Sequence, residues 1–364
     1  MKIRGNIRQA IERAGSITMA QFMSKAMYDN NEGYYIKHNP IGKNNDFITA
    51  PEISQLFGEM LGIYSVDCWV KMNRPARFNL VELGPGRATL LDDLLRATKH
   101  VQGFHKALNI HLVDTNQALT IIQKQRLALY DIDCTWHQAI YSLPSDNPMI
   151  IIANEFFDCL PINQYIKYKN EWYEQAVGLH YEEFCYIQTA LPKIFSETLN
   201  IEHPNSKNGA IVEISRAAEE VIQHLAKLLN KSLGYFLAID YGYDYEPIKR
   251  KAYSGSIQAI KNHRFHPIFS DVGQADLTAH VDFYALKKAA LSYEVQVTGS
   301  ITQGEFLKKM GIELRAKTLK EKVTLAQQED IDSGYNRLTS SKQMGKLFKA
   351  ISIFSKGLVK PIGF

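Results

Sequence analysis

Phe78-Asn79-Leu80-Val81-Glu82-Leu83-Gly84-Pro85-Gly86 is the stretch on which the fold turns. Its first six residues form a short, mainly apolar run of strand length, and Gly84-Pro85-Gly86 stops it. Behind it Leu90, Leu91, Leu94 and Leu95 recur at helical spacing. A strand that passes through glycines into a helix lets a ligand approach the backbone without meeting a Cβ, beside the unpaired N–H groups of a helix start. Working outward, the same rhythm repeats. Asn109 to Val113 reads as a second strand stopping at Asp114, Ala118 to Leu129 as a helix, and Ile132 to Trp136 as a third strand. Met149 to Ala153 reads as a fourth, apolar throughout as a central parallel strand is. After Ile211 to Ile214 and a helix to Asn230, Gly234 to Tyr241, Phe283 to Leu291 and Glu294 to Thr298 resume the alternation. Strand–helix alternation predicts the α/β class, with a doubly wound, mostly parallel Rossmann-like sheet.

The flanking sequence has other rhythms. Residues 1–28 read as two helices, with Ile3, Ile7 and Ile11 on one face and Ser16 or Thr18 capping the second. A polar loop from Asn39 to Asp46 follows. Thr49 then reads as an N-cap, with Glu52 as its capping-box partner and Pro51 in the first turn of a helix running through Gln55 and Leu61 toward Trp69. Trp172 to Val177 and Glu183 to Gln188 read as antiparallel strands, and Leu191 to Asn208 as irregular. Residues 246–280 read as a long loop-rich stretch, Gln303 to Met310 and Leu314 to Gln328 as helical, and Phe348 to Phe354 as an alternating edge strand. The expected organisation is a helical segment at 1–77 and a nucleotide-type domain at 78–364. An α+β insertion at about 157–232 and a long loop at about 242–282 interrupt that domain.

Composition narrows the function. The chain is 45% hydrophobic and 22% charged over 364 residues, enough to bury a core without disulfides or structural metal. With 42 basic against 38 acidic residues and no dominant basic cluster, nothing marks a nucleic-acid surface. Cys68, Cys134, Cys159 and Cys185 are scattered, which excludes a C-x-x-C redox or zinc pair and fits a reducing compartment. No metal site is expected. No apolar run reaches the ~18 residues of a membrane span. Arg4, Arg8 and Arg13 lie in a start that runs into folded sequence by Met19, so the chain is read as cytoplasmic.

The glycine turn is followed by features that choose between nucleotide ligands. A dinucleotide site wants a small residue three positions after the second glycine and an acid about 20 residues on. Here those places hold Thr89 and, 28 residues after Gly86, Asp114. A sulfonium nucleoside has no pyrophosphate to seat, but it needs a carboxylate for its ribose hydroxyls, and Asp114 fits that role. Glu82 either holds the donor's amino group or orients the loop. Asn154-Glu155-Phe156-Phe157-Asp158 follows the fourth strand, at the carboxyl edge where open α/β sheets bind ligands. Methyl transfer needs an aimed nucleophile more than strong acid–base chemistry. Glu155 and Asp158 are placed to grip a guanidinium bidentately, and Asn154 to hold an amine or amide. Phe156 and Phe157 either stack on the acceptor or pack. His280, between Asp276 and Asp282, is a candidate proton acceptor, while Thr278 and Asp282 read equally well as helix caps.

These segments together resemble the MidA-like family of S-adenosylmethionine-dependent methyltransferases. The resemblance rests on Glu32-Gly33-Tyr34-Tyr35, Asp46 to Glu59, Val81 to Arg87, Asn154 to Asp158, Ala238 to Gly242 and Ala275 to Phe283, which span about 17 to 311 in order. It implies that Gly84, Gly86 and Asp114 lie at the donor site, where Glu82 and Pro85 are read from the turn itself, and that the Thr49–Gln55 segment closes over it. Asn154, Glu155, Asp158 and His280, read above from the residues themselves, are the catalytic candidates. Mitochondrial members dimethylate an arginine during assembly of respiratory complex I. The implied partner is therefore a protein substrate, such as a complex I subunit, in the bacterial cytoplasm or the matrix of a eukaryotic mitochondrion. The sequence departs from the family at Ala88, often glycine, at Asp114, usually glutamate, and at Arg216, usually proline. Transfer to a non-arginine or small-molecule acceptor, and a donor-binding assembly factor without transfer, stand as alternatives.

Overall fold

A computed structural model of the chain describes residues 2–37, 49–321 and 323–364. The expected loop at Asn39–Asp46 and the residues Asp46-Phe47-Ile48 lie outside the described residues. The central sheet is built from β1 (Phe78–Leu83), β2 (Leu108–Val113), β3 (Cys134–His137), β4 (Met149–Asn154), β5 (Gly234–Tyr243), β6 (Val295–Val297) and β7 (Phe348–Ser355). Their order is β6-β7-β5-β4-β1-β2-β3. The five strands from β3 to β5 are parallel, whereas β7 runs antiparallel to β5 and β6 antiparallel to β7. The chain steps outward one way through β2 and β3, then returns to the other side of β1 with β4. That reversal opens a crevice at the carboxyl ends of β1 and β4, where Leu83 pairs with both Val113 and Ala153.

Both faces of the sheet are covered. On one face the Gln55–Lys71 helix packs on the Thr89–Thr98 helix, in a core holding Phe57, Leu61, Leu91, Leu94, Leu80 and Ile152. Gly58 lets the two helices meet, since a Cβ there would lie 2.9 Å from the Leu90 carbonyl oxygen. On the other face the Arg216–Ser232 and Phe283–Leu291 helices bury Ile222, Leu225, Phe283 and Leu286 against Ile151, Phe236 and Ile353.

A second, four-stranded antiparallel sheet lies between β4 and β5 in sequence: Asn163–Tyr168, Glu171–His180, Glu183–Ala190 and Ile211–Ile214. The first of these strands was not expected. The helices Lys2–Ala14 and Met19–Tyr28 pack on this sheet, not on the central one, through Ile3, Ile7, Ile11, Phe22 and Met23. The described residues of 1–77 are thus split between two cores. Thr18, not Ser16, caps the second helix, in a capping box with Gln21.

Five local expectations are corrected. The helix expected from Thr49 breaks at Ser54 (φ −160°, ψ 134°) into Ala50–Ile53 and Gln55–Lys71, and Thr49 makes no side-chain cap bond. Glu52 turns away from the cap because its carboxylate accepts the Thr89 hydroxyl at 2.5 Å. The stretch read as irregular carries a helix at Lys193–Glu202, whose single fully buried side chain, Leu199, hid its period. The loop-rich 246–280 holds a three-stranded sheet, Gln258–Lys261, Arg264–His266 and Asp276–Thr278, and 314–328 spans two helices, Ile312–Lys320 and Leu325–Thr339. Finally, β7 is not an edge strand but lies between β5 and β6. Ser352 is one of the polar places in the alternation that suggested an edge. In the structure Ser352 Oγ lies 2.9 Å from Tyr64 Oη, and Ser355 Oγ donates to the Leu229 carbonyl at 2.7 Å, so both are buried and bonded.

Candidate functional site

Two backbone hydrogen bonds shape the turn after β1. Gly84 N–H donates to the Val113 carbonyl at 3.0 Å and Ala88 N–H to the Pro85 carbonyl at 2.7 Å. Gly84 (φ +65°) and Gly86 (φ +52°) occupy the left-handed region that glycine enters without cost. Ala88 also sits there, at φ +58°, just before the Thr89–Thr98 helix. This position, often glycine in the resembled family, bears an ordinary side chain under strain.

The turn opens into a cavity of about 380 Å³, with a smaller recess of about 50 Å³ beside it. Gly84, Gly86, Thr49 and Glu155 face both. Asp114 and Asn116 from the end of β2, and Gln138 to Tyr141 after β3, line one end of the larger cavity. Glu82, Pro85 and Asn154 line the recess. Glu82 is 3% exposed, and its Oε2 has no hydrogen-bond partner. Burial, reinforced by Asp114, holds its carboxyl well above the usual range.

A residue the sequence reading missed fixes this end of the site. Gln123, fully buried on the Gln117–Leu127 helix, donates to the Gly86 carbonyl and to Asp114 Oδ2, both at 2.8 Å. Its Oε1 accepts the Trp136 indole N–H at 2.9 Å. One amide therefore ties the glycine turn, the carboxylate after β2 and strand β3 together. The Asn116 N–H donates to the other Asp114 oxygen at 2.8 Å, so the carboxylate is oriented from two sides. A Gln123→Leu variant leaves three buried polar groups short of a partner. It is expected to lose about 3 kcal/mol of unfolding stability and about tenfold in ligand affinity at the cavity. Urea denaturation and calorimetric titration read the two effects, and unchanged affinity would mean that Asp114 needs no such anchor.

The turn after β4 carries the acidic half of the site. Glu155 is a non-glycine residue at φ +51°. Its N–H donates to the Ile239 carbonyl of β5 at 2.9 Å, and its Oε1 accepts Ala50 N–H at 2.9 Å and Asn154 Nδ2 at 3.2 Å. The side chain thus tethers the Thr49–Ile53 segment to the end of β4. Burial pushes its carboxyl up to about 7, against the pull of the Ala50 N–H. Asp240, at the end of β5, shapes the rest of the turn: its Oδ2 accepts the N–H groups of Phe156 (3.1 Å), Phe157 (2.9 Å) and Asp158 (3.3 Å). Sequence reading placed Asp240 in a motif without a role. An acid in an otherwise apolar strand was the signal available in sequence, and the structure buries it completely. Asp158 and Asp240 face each other's charge in a dry setting, and burial raises both carboxyls. Asp158 Oδ1 and Asn154 Oδ1 are buried without partners. Phe157 packs into the core, while Phe156 lines the cavity beside Gly84.

Two expected residues are not brought to this place. Gln55 begins the Gln55–Lys71 helix, accepts from Arg96 at 3.4 Å and lines neither cavity. Its segment bends at Ser54, so Thr49 reaches the site and Gln55 does not. His280 packs its ring on Tyr241, 5.5 Å between centroids, and faces separate depressions on the far side of that tyrosine. Burial lowers its pKa, and only its backbone N–H is tied, to Ser256 Oγ at 2.8 Å. Of the same cluster, Asp276 lines the main cavity, while Asp282 caps the Phe283–Leu291 helix through Ala285 N–H. Among the described residues no group of His, Cys, Asp and Glu is arranged to hold a metal ion.

Comparison with known proteins puts this geometry in context. A family model described as "Putative S-adenosyl-L-methionine-dependent methyltransferase" matches residues 60–301. A Xenopus tropicalis protein named protein arginine methyltransferase NDUFAF7, mitochondrial, is 34% identical over 376 residues, covering 96% of this chain and 85% of its own. The human protein of that name is 31% identical over 94% of this chain and 81% of its own. A Burkholderia thailandensis crystal structure bound to S-adenosyl-homocysteine superposes with a TM-score of 0.88 at 24% identity, covering 100% of this chain and 94% of that one, and shares the fold. With the family model matched across both strand–turn motifs of the site and these relatives aligned over nearly the whole chain, this protein belongs to the MidA-like family of S-adenosylmethionine-dependent methyltransferases.

Proposed function

We propose that the chain transfers the methyl group of S-adenosylmethionine to arginine side chains of a protein substrate. The observation that carries this reading is the charge of the cavity. Asp114, Glu155, Asp158, Glu220 and Asp276 line it, and no Lys, Arg or His is among its described lining residues. Carboxylates gathered around a cavity favour a cation there. The relatives' printed names give the acceptor class as protein arginine.

The residues fit the donor. Glu82 Oε2 and Asn154 Oδ1 are buried polar atoms without protein partners at the recess, and the glycine turn leaves its backbone open beside them. Asp114 would hold the ribose hydroxyls, Glu82 and Asn154 the amino-acid end, and Thr49 would cover the junction. Bound S-adenosylmethionine supplies an electrophilic methyl on a sulfonium and leaves as a neutral thioether. An arginine nitrogen that gains a methyl must shed a proton. Glu155, strained toward the cavity and poised near neutrality, is the carboxylate placed to orient that nitrogen and accept the proton. Asp158 adds a second carboxylate for the planar cation.

The family resemblance extends the proposal to a subunit of respiratory complex I as the substrate, met in the cytoplasm of a bacterial cell or the matrix of a mitochondrion. No helix among the described residues is long and apolar enough to cross a membrane.

Thermal unfolding with S-adenosylmethionine, NADH and no ligand tests the donor. At about 100 times its dissociation constant the sulfonium donor is expected to add roughly 2.7 kcal/mol, and NADH nothing. Incubation with donor and an arginine-containing peptide library is expected to release S-adenosylhomocysteine, whereas an arginine-free library releases none. Equal release from both would overturn the acceptor class.

A further inference from the structure

The Glu32-Gly33-Tyr34-Tyr35 motif stands apart in sequence from the glycine turn and the acid after β2, and the structure builds it closely. Gly33 N–H donates to the Asp29 carbonyl at 2.9 Å, and Asp29 Oδ1 accepts the N–H groups of Asn31 and Glu32 at 3.1 and 3.0 Å. A Cβ on Gly33 would lie 2.6 Å from Asp29 N and 2.8 Å from the Met27 carbonyl oxygen, so only glycine fits this turn. The turn folds Tyr34 and Tyr35 back toward Tyr28 at the end of the preceding helix. Tyr34 is fully buried behind Tyr35, with ring centroids 5.3 Å apart, and the Tyr28 and Tyr35 rings lie 5.5 Å apart at 32°. Both rings are fastened by their hydroxyls. Tyr35 Oη donates to Asp276 Oδ1 at 2.7 Å, and Tyr28 Oη to the Cys159 carbonyl at 3.0 Å.

Tyr28, Tyr35 and Asp276 line the same cavity as Glu155, Phe156 and Asp158. Asp158 is 7% exposed, and its Oδ1 lacks a partner. Two fixed aromatic rings therefore stand beside the carboxylates of Asp158 and Asp276 in one cavity. A guanidinium is planar and weakly hydrated, stacks on an aromatic face, and offers a fork of N–H donors to carboxylates. An ammonium is a compact, strongly hydrated point charge that loses more on entering such a site.

We propose that Tyr28, Tyr35, Asp276 and Asp158 form the acceptor subsite, and that they select an arginine guanidinium over a lysine ammonium. The inference rests on the reading of the acceptor as arginine and assigns the choice to residues outside the donor motifs. Tyr28 and Tyr35 reach it from the helical segment that packs on the second sheet, so that segment contributes the discriminating wall. Asp276 positions the Tyr35 ring and adds negative charge to that wall.

The test uses the full chain saturated with S-adenosylhomocysteine and two probes, Nα-acetyl-arginine N-methylamide and its lysine counterpart, followed by saturation-transfer NMR. The wild type is expected to bind the arginine probe at least about tenfold more tightly than the lysine probe. Y35F keeps the ring and loses its tie to Asp276, and Asp276→Asn removes a charge. Each is expected to weaken the arginine probe about tenfold, shrink the arginine-to-lysine ratio, and leave the dissociation constant of S-adenosylhomocysteine unchanged. Should the asparagine variant fail to fold, Y35F and Y28F carry the same comparison. Variants that keep the wild-type ratio would overturn the subsite while leaving the arginine reading intact. A wild type that prefers lysine, or binds neither probe, would remove both.

Discussion

Glu155→Gln is expected to lower the rate of methyl transfer by about 10²–10³-fold while leaving the dissociation constant of S-adenosylmethionine within about threefold. The amide oxygen of glutamine can still accept the Ala50 N–H, so the Thr49–Ile53 segment keeps its tether. The charge that orients the acceptor and takes its proton is gone. In the wild type, activity should fall as pH drops through about 7, because protonated Glu155 accepts nothing. The variant should lose that limb of the profile. Stability should move the other way. The folded-state carboxyl is raised to about 7, against ~4.3 for an unfolded glutamate. The native state therefore binds this proton more tightly than the unfolded chain does. The group's favourable contribution is complete below pH ~4.3 and drains away as pH rises to about 7, by on the order of 3 kcal/mol. The glutamine variant should thus be more stable than the wild type at pH 8 and no more stable at pH 4. Denaturant unfolding at the two values, beside a pH–rate profile, checks both halves. A variant that lost donor affinity as sharply as rate would move Glu155 from the acceptor to the donor.

Gly86→Val is expected to weaken S-adenosylmethionine binding by at least about a hundredfold, through two physical terms that add. Valine at φ +52° is strained by ~1–2 kcal/mol, more than alanine at the neighbouring Ala88 because its branched Cβ crowds the following carbonyl. Its methyls would also enter the space shared by the cavity and the recess, both of which Gly86 lines. The fold should survive, since Leu83 and Leu90 on either side remain in their strand and helix and the Gln123 bond is to the Gly86 carbonyl, not its side chain. Isothermal titration with the donor, alongside far-UV circular dichroism, separates loss of the site from loss of the protein. Undiminished affinity in a folded variant would place the donor elsewhere. Gly84 is a sterner case: a Cβ there would meet Phe156 Cδ2 at 3.3 Å, so its replacement also disturbs the turn after β4.

What the sequence by itself determined was local. The apolar run Met149 to Ala153, the glycines after Leu83 and the acid after Val113 specify strands, a tight turn and a polar strand end through neighbours in the chain. From these the parallel sheet and its carboxyl-edge site could be read before any coordinates. Only the tertiary structure decided which polar residues were removed from water, because that depends on partners far along the chain. Gln123 looks like an ordinary helix-surface amide until Gly86, Asp114 and Trp136 surround it. Asp240 gains its role from the three N–H groups of a turn more than eighty residues earlier. The same cause explains the corrections. Ser352 seemed to mark an edge strand because a buried, bonded hydroxyl and a solvated one are identical in sequence. His280 and Gln55 lie within residues of cavity-lining side chains, yet Tyr241 and the bend at Ser54 turn them elsewhere. Tyr28, Tyr35 and Asp276 are separated by up to 248 positions (276 − 28). They share one cavity only because the first two helices pack on the second sheet rather than on the one that holds the donor turn.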